Sequence, residues 1–168
     1  MPSKPPVDID AAPDLLPGTG RRAADRILEH WQRIRGEGTT LPSLADLALG
    51  EYPDIVERSF LLREDRDPRI SVFILCGKSV SEAIGSDPLG LALEDVLAKR
   101  IEARLCEACD QAIREVRPVR SEGAYQAEDG NDVHYRAIFM PARSGRQFED
   151  GYVFGTFGKK TALRKRVA

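Results

Sequence analysis

Two cysteines at a C-x-x-C spacing are the residues of this chain whose types and spacing best suit chemistry. Cys106 and Cys109 could perform thiol–disulfide exchange or supply half of a zinc site. A redox pair needs its first sulfur at a helix N-terminus, where the helix dipole lowers the thiol pKa, but these two fall in the middle of a predicted helix. Zinc needs four ligands, and the other soft ligands, Cys76, His30 and His134, lie on different predicted elements. We therefore predict that both thiols are packing residues and that the chain binds no metal.

His134 and Arg136 form a second candidate site. Side chains two positions apart on a strand share one face, so this pair could bind an anionic ligand. A solvated polar strand face is the alternative. The sequence has only two histidines and no G-x-S-x-G motif, and Gly77-Lys78-Ser79 lacks the upstream glycine of a phosphate-binding loop. We therefore predict no catalytic residues and no enzymatic activity.

The composition indicates one soluble domain with appendages. The 168 residues carry 25 basic and 27 acidic side chains, and a net charge of −2 gives no overall field that selects nucleic acid or an anionic membrane. No apolar run approaches the roughly 18 residues of a membrane span, and residues 1–6 lack the apolar centre of a signal peptide. Three cysteines favour a reducing compartment over a disulfide framework. We therefore expect a cytoplasmic protein with no membrane and no nucleic-acid partner.

Proline content and charge divide the chain into three parts. Residues 1–20 hold five of the eleven prolines and are expected to form a disordered leader. The folded domain is expected over residues 21–158, with its first helix over residues 21–35. Residues 159–168 hold five basic side chains and are expected to form a solvated tail, with contact to an acidic partner or nucleic acid as the alternative.

Hydrophobic patterning predicts an α+β fold with a five-stranded antiparallel sheet. The predicted strands are residues 59–63, 70–77, 119–127, 133–140 and 151–158, and the predicted helices are 43–47, 79–84, 91–97 and 99–116. Ser43 is the expected N-cap of the first of these helices, and Pro118 ends the last. We expect the short helices and the long connecting helix to lie on one face of the sheet, with an N-terminal amphipathic helix in addition.

Several short motifs in a fixed order resemble one protein family. They are Trp31 followed by Arg35-Gly36, then Leu41-Pro42-Ser43, Gly77-Lys78-Ser79-Val80 with Leu89-Gly90, and Ile138-Phe139-Met140-Pro141. Over residues 21–160 this order resembles a bacterial family of small, single-domain PAS proteins. The resemblance implies the PAS fold and a sensor or adaptor function in bacterial signal transduction.

The resemblance also limits the cofactors. PAS domains that hold haem usually use a histidine on or near the long helix, and residues 99–116 contain none. PAS domains that form a flavin photoadduct carry Asn-Cys-Arg at the start of the short helices, where this chain reads Lys78-Ser79-Val80. We therefore expect neither haem nor covalent flavin, and an unknown small ligand stays open.

In PAS proteins a small ligand binds between the inner sheet face and the short helices, and the resemblance implies such a cleft here. The expected lining residues are Val72, Ile74, Cys76, Leu93, Leu97, Ile101, Leu105, His134 and Arg136. The second strand is apolar on both faces, so which face points inward stays open. The alternative function is a ligand-free dimeric scaffold that regulates a kinase or another signalling partner.

An apolar stripe marks the predicted N-terminal helix, and its members are Ile27, Leu28, Trp31 and Ile34. Soluble monomers avoid large exposed apolar patches, so we expect the stripe to be buried against the outer sheet face or a second subunit. In PAS proteins the helix before the first strand commonly joins a dimer. We therefore expect a homodimer.

Overall fold

The computed structural model of the protein describes residues 18–37, 40–143 and 151–162. The helices are α1 (Gly18–Arg35), α2 (Leu44–Leu47), α3 (Pro53–Glu57), α4 (Lys78–Ile84), α5 (Leu93–Val96) and α6 (Lys99–Glu115). The strands are β1 (Phe60–Arg63), β2 (Val72–Cys76), β3 (Val119–Gln126), β4 (Asp132–Arg143) and β5 (Gly151–Ala162). Within this part of the chain, no helix is both long and apolar enough to span a bilayer.

The five strands form one antiparallel sheet in the order β2-β1-β5-β4-β3. Its longest ladder joins β4 to β5, from Asp132 opposite Ala162 to Arg143 opposite Gly151. The first hairpin joins this ladder because β1 pairs with β5 as well as with β2. The predicted five-stranded sheet is therefore confirmed.

Each face of the sheet carries its own hydrophobic core. The inner core lies between the sheet and α4, α5 and α6, and its largest members are Phe60, Leu62, Phe73, Leu93, Ile101, Leu105, Tyr135, Phe139 and Phe157. The outer core lies under α1 and the α2–α3 segment and includes Ile27, Trp31, Leu47, Ile55, Leu61, Ile138, Met140 and Phe154. Because both faces are covered, the strands are apolar on both faces, which weakens the alternation that sequence patterning relies on.

The apolar stripe of α1 is buried against the chain's own sheet. Ile27 and Trp31 are each 1% exposed, while Leu28 and Ile34 are half-buried beside them. The Trp31 indole Nε1 donates to the carbonyl of Pro141 at 2.8 Å, which ties the helix to β4. The expected burial against the outer sheet face is therefore realised within one chain.

A buried histidine fixes α1 to the segment that follows it. His30 is 1% exposed, its Nε2 lies 2.7 Å from the carbonyl of Leu47, and its Nδ1 lies 2.9 Å from Nη2 of Arg33. Since the carbonyl only accepts and the guanidinium only donates, Nε2 carries the proton and Nδ1 accepts. Tyr52 packs on the ring, with centroids 4.6 Å apart.

Several element boundaries differ from the prediction. Helix α1 begins at Gly18 rather than residue 21, α3 falls in a stretch predicted as loop, and β5 runs to Ala162 instead of ending at residue 158. The β5 extension forms because β4 is long enough to pair with it, so Lys159 and Lys160 belong to the sheet rather than to a tail. Residues 1–17 and 163–168 of the predicted leader and tail lie outside the described residues.

Candidate functional site

The inner core contains two small cavities between the sheet and the helices. One has a volume of about 10 Å³ and is lined by Phe60, Phe73, Val80, Leu93, Leu105 and Phe139, together with Ile84, Leu97 and Phe157. The other has a volume of about 30 Å³ and shares Ile84, Leu97 and Phe157 with the first. Its remaining lining residues are Ala83, Val96, Ala98, Ile101, Tyr125 and Lys159. A cavity needs ~10–15 Å³ to hold one water molecule, so neither admits a larger ligand without side-chain movement.

Four of the expected lining residues come together at these cavities. Leu93, Leu97 and Leu105 line the smaller cavity, and Leu97 and Ile101 line the larger. Cys76 packs at the margin of the inner core, where its Sγ lies 3.4 Å from the Ser81 hydroxyl. These residues therefore lie where the helices pack on the inner face of the sheet.

The second strand supplies a different residue from those predicted. Leu61 pairs with Leu75 and Leu62 pairs with Phe73, so the register skips Ile74, which forms a β-bulge. The bulge reverses the alternation, and Phe73 enters the inner core while Ile74 is 42% exposed. Val72 and Ile74 therefore do not line the cavities, which corrects the prediction for both.

His134 and Arg136 lie on the outer face of the sheet, away from the cavities. Tyr135 between them enters the inner core, and strand alternation then points its two neighbours outward. Arg136 is 6% exposed, and its Nε lies 3.4 Å from Oε1 of Glu122 on β3. His134 and Arg136 therefore do not line the two cavities, which corrects their place among the expected lining residues.

Four phenylalanines that sequence reasoning did not assign to the cleft fill most of it. They are Phe60, Phe73, Phe139 and Phe157. The Phe60 ring packs on Phe73 and Phe139, with centroids 5.6 and 5.7 Å apart, which are favourable separations for aromatic pairs. The spacing of Tyr135, Ala137 and Phe139 could have marked the inner face of β4, but Ile138 and Met140 gave an equally apolar outer face.

The fold and the sequence place this chain in one family. A family model described as "PAS domain" matches residues 20–156, which is most of the chain. The chain belongs to the PAS domain family. PAS domains form a signalling sensor fold, so the predicted family and fold are both confirmed.

Solved PAS structures are similar to this PAS domain in fold at low sequence identity. A PAS domain from a two-component sensor histidine kinase is 13% identical, with a TM-score of 0.43 over 69% of this chain and 99% of that one. The PAS-B domain of Drosophila melanogaster Cycle W398A, with bound glycerol, is 13% identical, with a TM-score of 0.43 over 60% and 98%. Vibrio cholera VqmA, in a complex with ligand and DNA, is 15% identical, with a TM-score of 0.47 over 66% and 50%. No curated protein matches the sequence.

Phenylalanine side chains line the space between the sheet and the helices of this PAS domain. The two cavities described above have volumes of about 10 and 30 Å³. Helix α6 contains no histidine, and α4 contains no cysteine. Among the described residues, no three His, Cys, Asp or Glu side chains come together as a metal-ligand set.

The two C-x-x-C thiols lie on the buried face of α6. Cys109 is fully buried and Cys106 is 5% exposed. Burial raises the pKa of Cys106 to about 11, with the nearby charges of Glu102 and Glu94 adding to the shift, and burial also raises the pKa of Cys109. Neither thiol is stabilised as a thiolate at neutral pH, which is the state that redox exchange and metal binding require.

Proposed function

We propose that this PAS domain is an adaptor in bacterial signal transduction that acts through protein–protein contacts, as a homodimer and with a signalling partner such as a kinase or regulator. The packing of the inner core supports this proposal, because the two cavities described there have volumes of about 10 and 30 Å³. Because side chains fill the inner core, we expect a partner to bind at the surface of the domain. We further propose a cytoplasmic location and a non-enzymatic role.

An exposed apolar cluster beside β2 is the surface that we propose for self-association. The segment before α5 runs along the edge of β2, where the Phe73 N–H donates to Leu91 at 3.1 Å and the Leu93 N–H donates to Ser71 at 2.8 Å. Four side chains along this edge are between 42% and 50% exposed, and we call them the edge patch: Ile70, Ile74, Leu89 and Leu91. Exposed large apolar side chains that lie near one another are typical of protein contacts.

The stripe on α1 does not supply this contact, since Ile27 and Trp31 are buried against the sheet of the same chain. An apolar stripe that is already covered leaves no unburied surface to drive a dimer. We therefore assign the proposed homodimer contact to the edge patch rather than to α1.

Native mass spectrometry of the purified protein tests the homodimer. We expect a dimer for the wild type and a monomer for the double variant Ile74→Asp/Leu91→Asp, because two charges would have to be desolvated in the contact. Val116→Asp is the matched control, since Val116 is 39% exposed but lies at the end of α6. A monomeric wild type, or a double variant that stays dimeric, contradicts the edge-patch contact.

A second candidate function is the sensing of a small apolar ligand in the core. It is favoured by the two cavities, which share Ile84, Leu97 and Phe157 as lining residues. Rotation of these side chains would join the cavities into one space lined also by Leu93, Ile101 and Leu105. Native mass spectrometry distinguishes the two functions. A small molecule bound in stoichiometric amount to the purified protein would favour ligand sensing, and a measured mass equal to that of the protein alone would favour the adaptor.

A further inference from the structure

Helix α6 ends at a residue whose backbone conformation its own side chain disfavours. Val116 follows the helix with φ of 55° and ψ of 43°, in the left-handed region, and its N–H donates to the carbonyl of Ala112. Glycine usually occupies this position, as Gly36 does after α1, where φ is 61°. A β-branched residue is rare there because its Cβ crowds the neighbouring carbonyl. The end of α6 is therefore strained, and contacts from outside the helix must stabilise it.

Arg35, the last residue of α1, provides such a contact. Its Nη1 donates to the carbonyl of Val116 at 3.3 Å. Carbonyls at the end of a helix have no partner within the helix, and a positive charge beside them is favourable because it complements the helix dipole. Helix α1 covers the outer face of the sheet, whereas α6 packs on the inner face. This hydrogen bond therefore links the C-terminal ends of two helices on opposite faces of the sheet.

Trp31 holds the guanidinium of Arg35 in place. The Cζ of Arg35 lies 5.2 Å from the centroid of the Trp31 ring, which is within the range of a cation–π interaction. The ring itself is fixed, because Trp31 is buried and its Nε1 donates to the carbonyl of Pro141. A guanidinium that is already stacked on a fixed ring loses less freedom when it forms a hydrogen bond. A continuous set of contacts therefore runs from β4 through Trp31 and Arg35 to the end of α6.

Helix α6 also contributes to the walls of the two cavities. Ile101 and Leu105 line them, and Ala112, which accepts from the Val116 N–H, is fully buried in the same inner core. The last turn of α6 is therefore joined directly to the inner core, because Ala112 belongs to both.

We propose that Arg35 couples α1 to the end of α6, so that release of either helix end loosens the other. When α1 leaves the sheet, Val116 loses the contact that holds it in the left-handed conformation, and the last turn of α6 opens more often. Coupling between two sites is reciprocal, so loss of the α6 end weakens the end of α1 by the same factor. A partner that draws α1 from the outer face would thereby act on a helix that lines the cavities. That use of the coupling rests on the proposed adaptor function, whereas the coupling itself lies within one chain.

Hydrogen exchange of single amides, followed by NMR in the full chain, tests the coupling. The reporters for α6 are the amides of Val116 and Arg117, which both donate to the carbonyl of Ala112. In Arg35→Gln these two amides should exchange about threefold to tenfold faster than in the wild type, because a hydrogen bond from a charged group is lost.

Arg26→Gln is the matched control. It removes an arginine of the same helix and its ion pair with Asp54 of α3, and it should leave both reporter amides unchanged. The double variant Arg35→Gln/Val116→Gly tests the strain, because glycine adopts the left-handed conformation without a crowded Cβ. In this double variant the Arg117 amide should return towards the wild-type exchange rate.

The reciprocal experiment changes α6 and observes α1. Its reporter is the amide of Gly36, which donates to the carbonyl of Gln32 at 2.9 Å. Val116→Pro excludes the left-handed conformation, since the proline ring fixes φ near −65°, and it therefore moves the carbonyl away from Arg35. The Gly36 amide should exchange faster in Val116→Pro by about the same factor as in Arg35→Gln. Val116→Gly keeps the conformation and should not accelerate this amide.

Two outcomes would overturn the coupling. One is an exchange rate of the Arg117 amide that is the same in the wild type and in Arg35→Gln, or that rises equally in Arg26→Gln. The other is a Gly36 amide that does not respond to Val116→Pro. Both experiments report on contacts within one chain and leave the oligomeric state unaffected, so their failure is distinguishable from failure of the proposed adaptor function.

Discussion

At the scale of single residues, Cys106 and Cys109 have the spacing of a reactive pair but the environment of packing residues. A C-x-x-C spacing is the strongest chemical motif in the sequence, yet its position within α6 places both sulfurs in the inner core. The prediction of packing thiols followed from their position in the middle of a predicted helix and from the scattered positions of the other soft ligands. By contrast, the face of β2 could not be predicted, because the bulge at Ile74 leaves no trace in a strand that is apolar at every position.

The reactivity of the three thiols should decrease as their burial increases. We expect Cys76, which is half-buried, to react first with a thiol reagent in the native protein, and Cys106 and Cys109 to react slowly. Desolvation raises the pKa of all three thiols, so the reaction rates should increase with pH through the alkaline range. Reagent kinetics from pH 7 to 10 on single-cysteine variants measure this. Fast reaction of Cys106 and Cys109 with a shared redox potential, or one zinc per chain, would contradict the packing role.

The same burial predicts a difference in stability. Cys109→Ser should lower the free energy of unfolding by about 1–3 kcal/mol if the new hydroxyl finds no partner, because it would lie in the apolar core. Cys106→Ser should cost less, because Cys106 is 5% exposed whereas Cys109 is fully buried. Urea unfolding of the two variants measures the difference, and equal costs would contradict the order of burial.

At the scale of elements, the sequence predicted each strand and most helices, and the corrections have physical causes. Helix α3 was missed because its five residues, begun by Pro53, are too few for periodicity to show. The N-cap of α2 was predicted correctly at Ser43, whose hydroxyl accepts from the Asp46 N–H at 3.0 Å. Local hydrogen bonding of this kind can be predicted from sequence. Which face of β4 points to the inner core cannot, because it depends on which elements cover each side of the sheet.

Gly155 on β5 lies directly against the Phe60 ring, which leaves no space for a side chain at this position. A methyl group on Gly155 would collide with the carbonyl of Ile138 and would lie 2.8 Å from Cζ of the Phe60 ring. Gly155→Ala should therefore lower the free energy of unfolding by about 1–3 kcal/mol, as overpacking in a core does. Gly158→Ala on the same strand is the control, because nothing lies within 4 Å of its added methyl group. Urea unfolding compares the two, and equal stability would contradict the close approach at Gly155.

At the scale of the whole molecule, the domain is a sheet closed on both faces. The inner face is filled by phenylalanines, and the outer face is covered by α1, which ion pairs also hold in place. Asp25 lies 3.3 Å from Arg120 of β3, and Arg26 pairs with Asp54 of α3. Exposed ion pairs of this kind each contribute little to stability. Burial of apolar side chains in the outer core must therefore supply most of the free energy that holds α1 on the sheet. Trp31 is its largest side chain.

Trp31 therefore provides a test of how the molecule is held together. It is the only tryptophan, so the native emission maximum should be that of a buried indole and should shift to the red on unfolding. Trp31→Ala should lower the free energy of unfolding by about 3–5 kcal/mol, through the cavity that it leaves in the outer core. Trp31→Phe should cost less, because it keeps an aromatic ring and loses mainly the hydrogen bond to Pro141.

Gln32→Ala is the control for these Trp31 variants, since Gln32 is exposed on the same helix and should change stability by less than about 0.5 kcal/mol. Urea unfolding followed by circular dichroism measures all three variants without relying on the tryptophan. The folded fraction of Trp31→Phe should keep the oligomeric state of the wild type, because Trp31 is buried within its own chain. Loss of the dimer in Trp31→Phe at unchanged stability would instead return the dimer contact to α1.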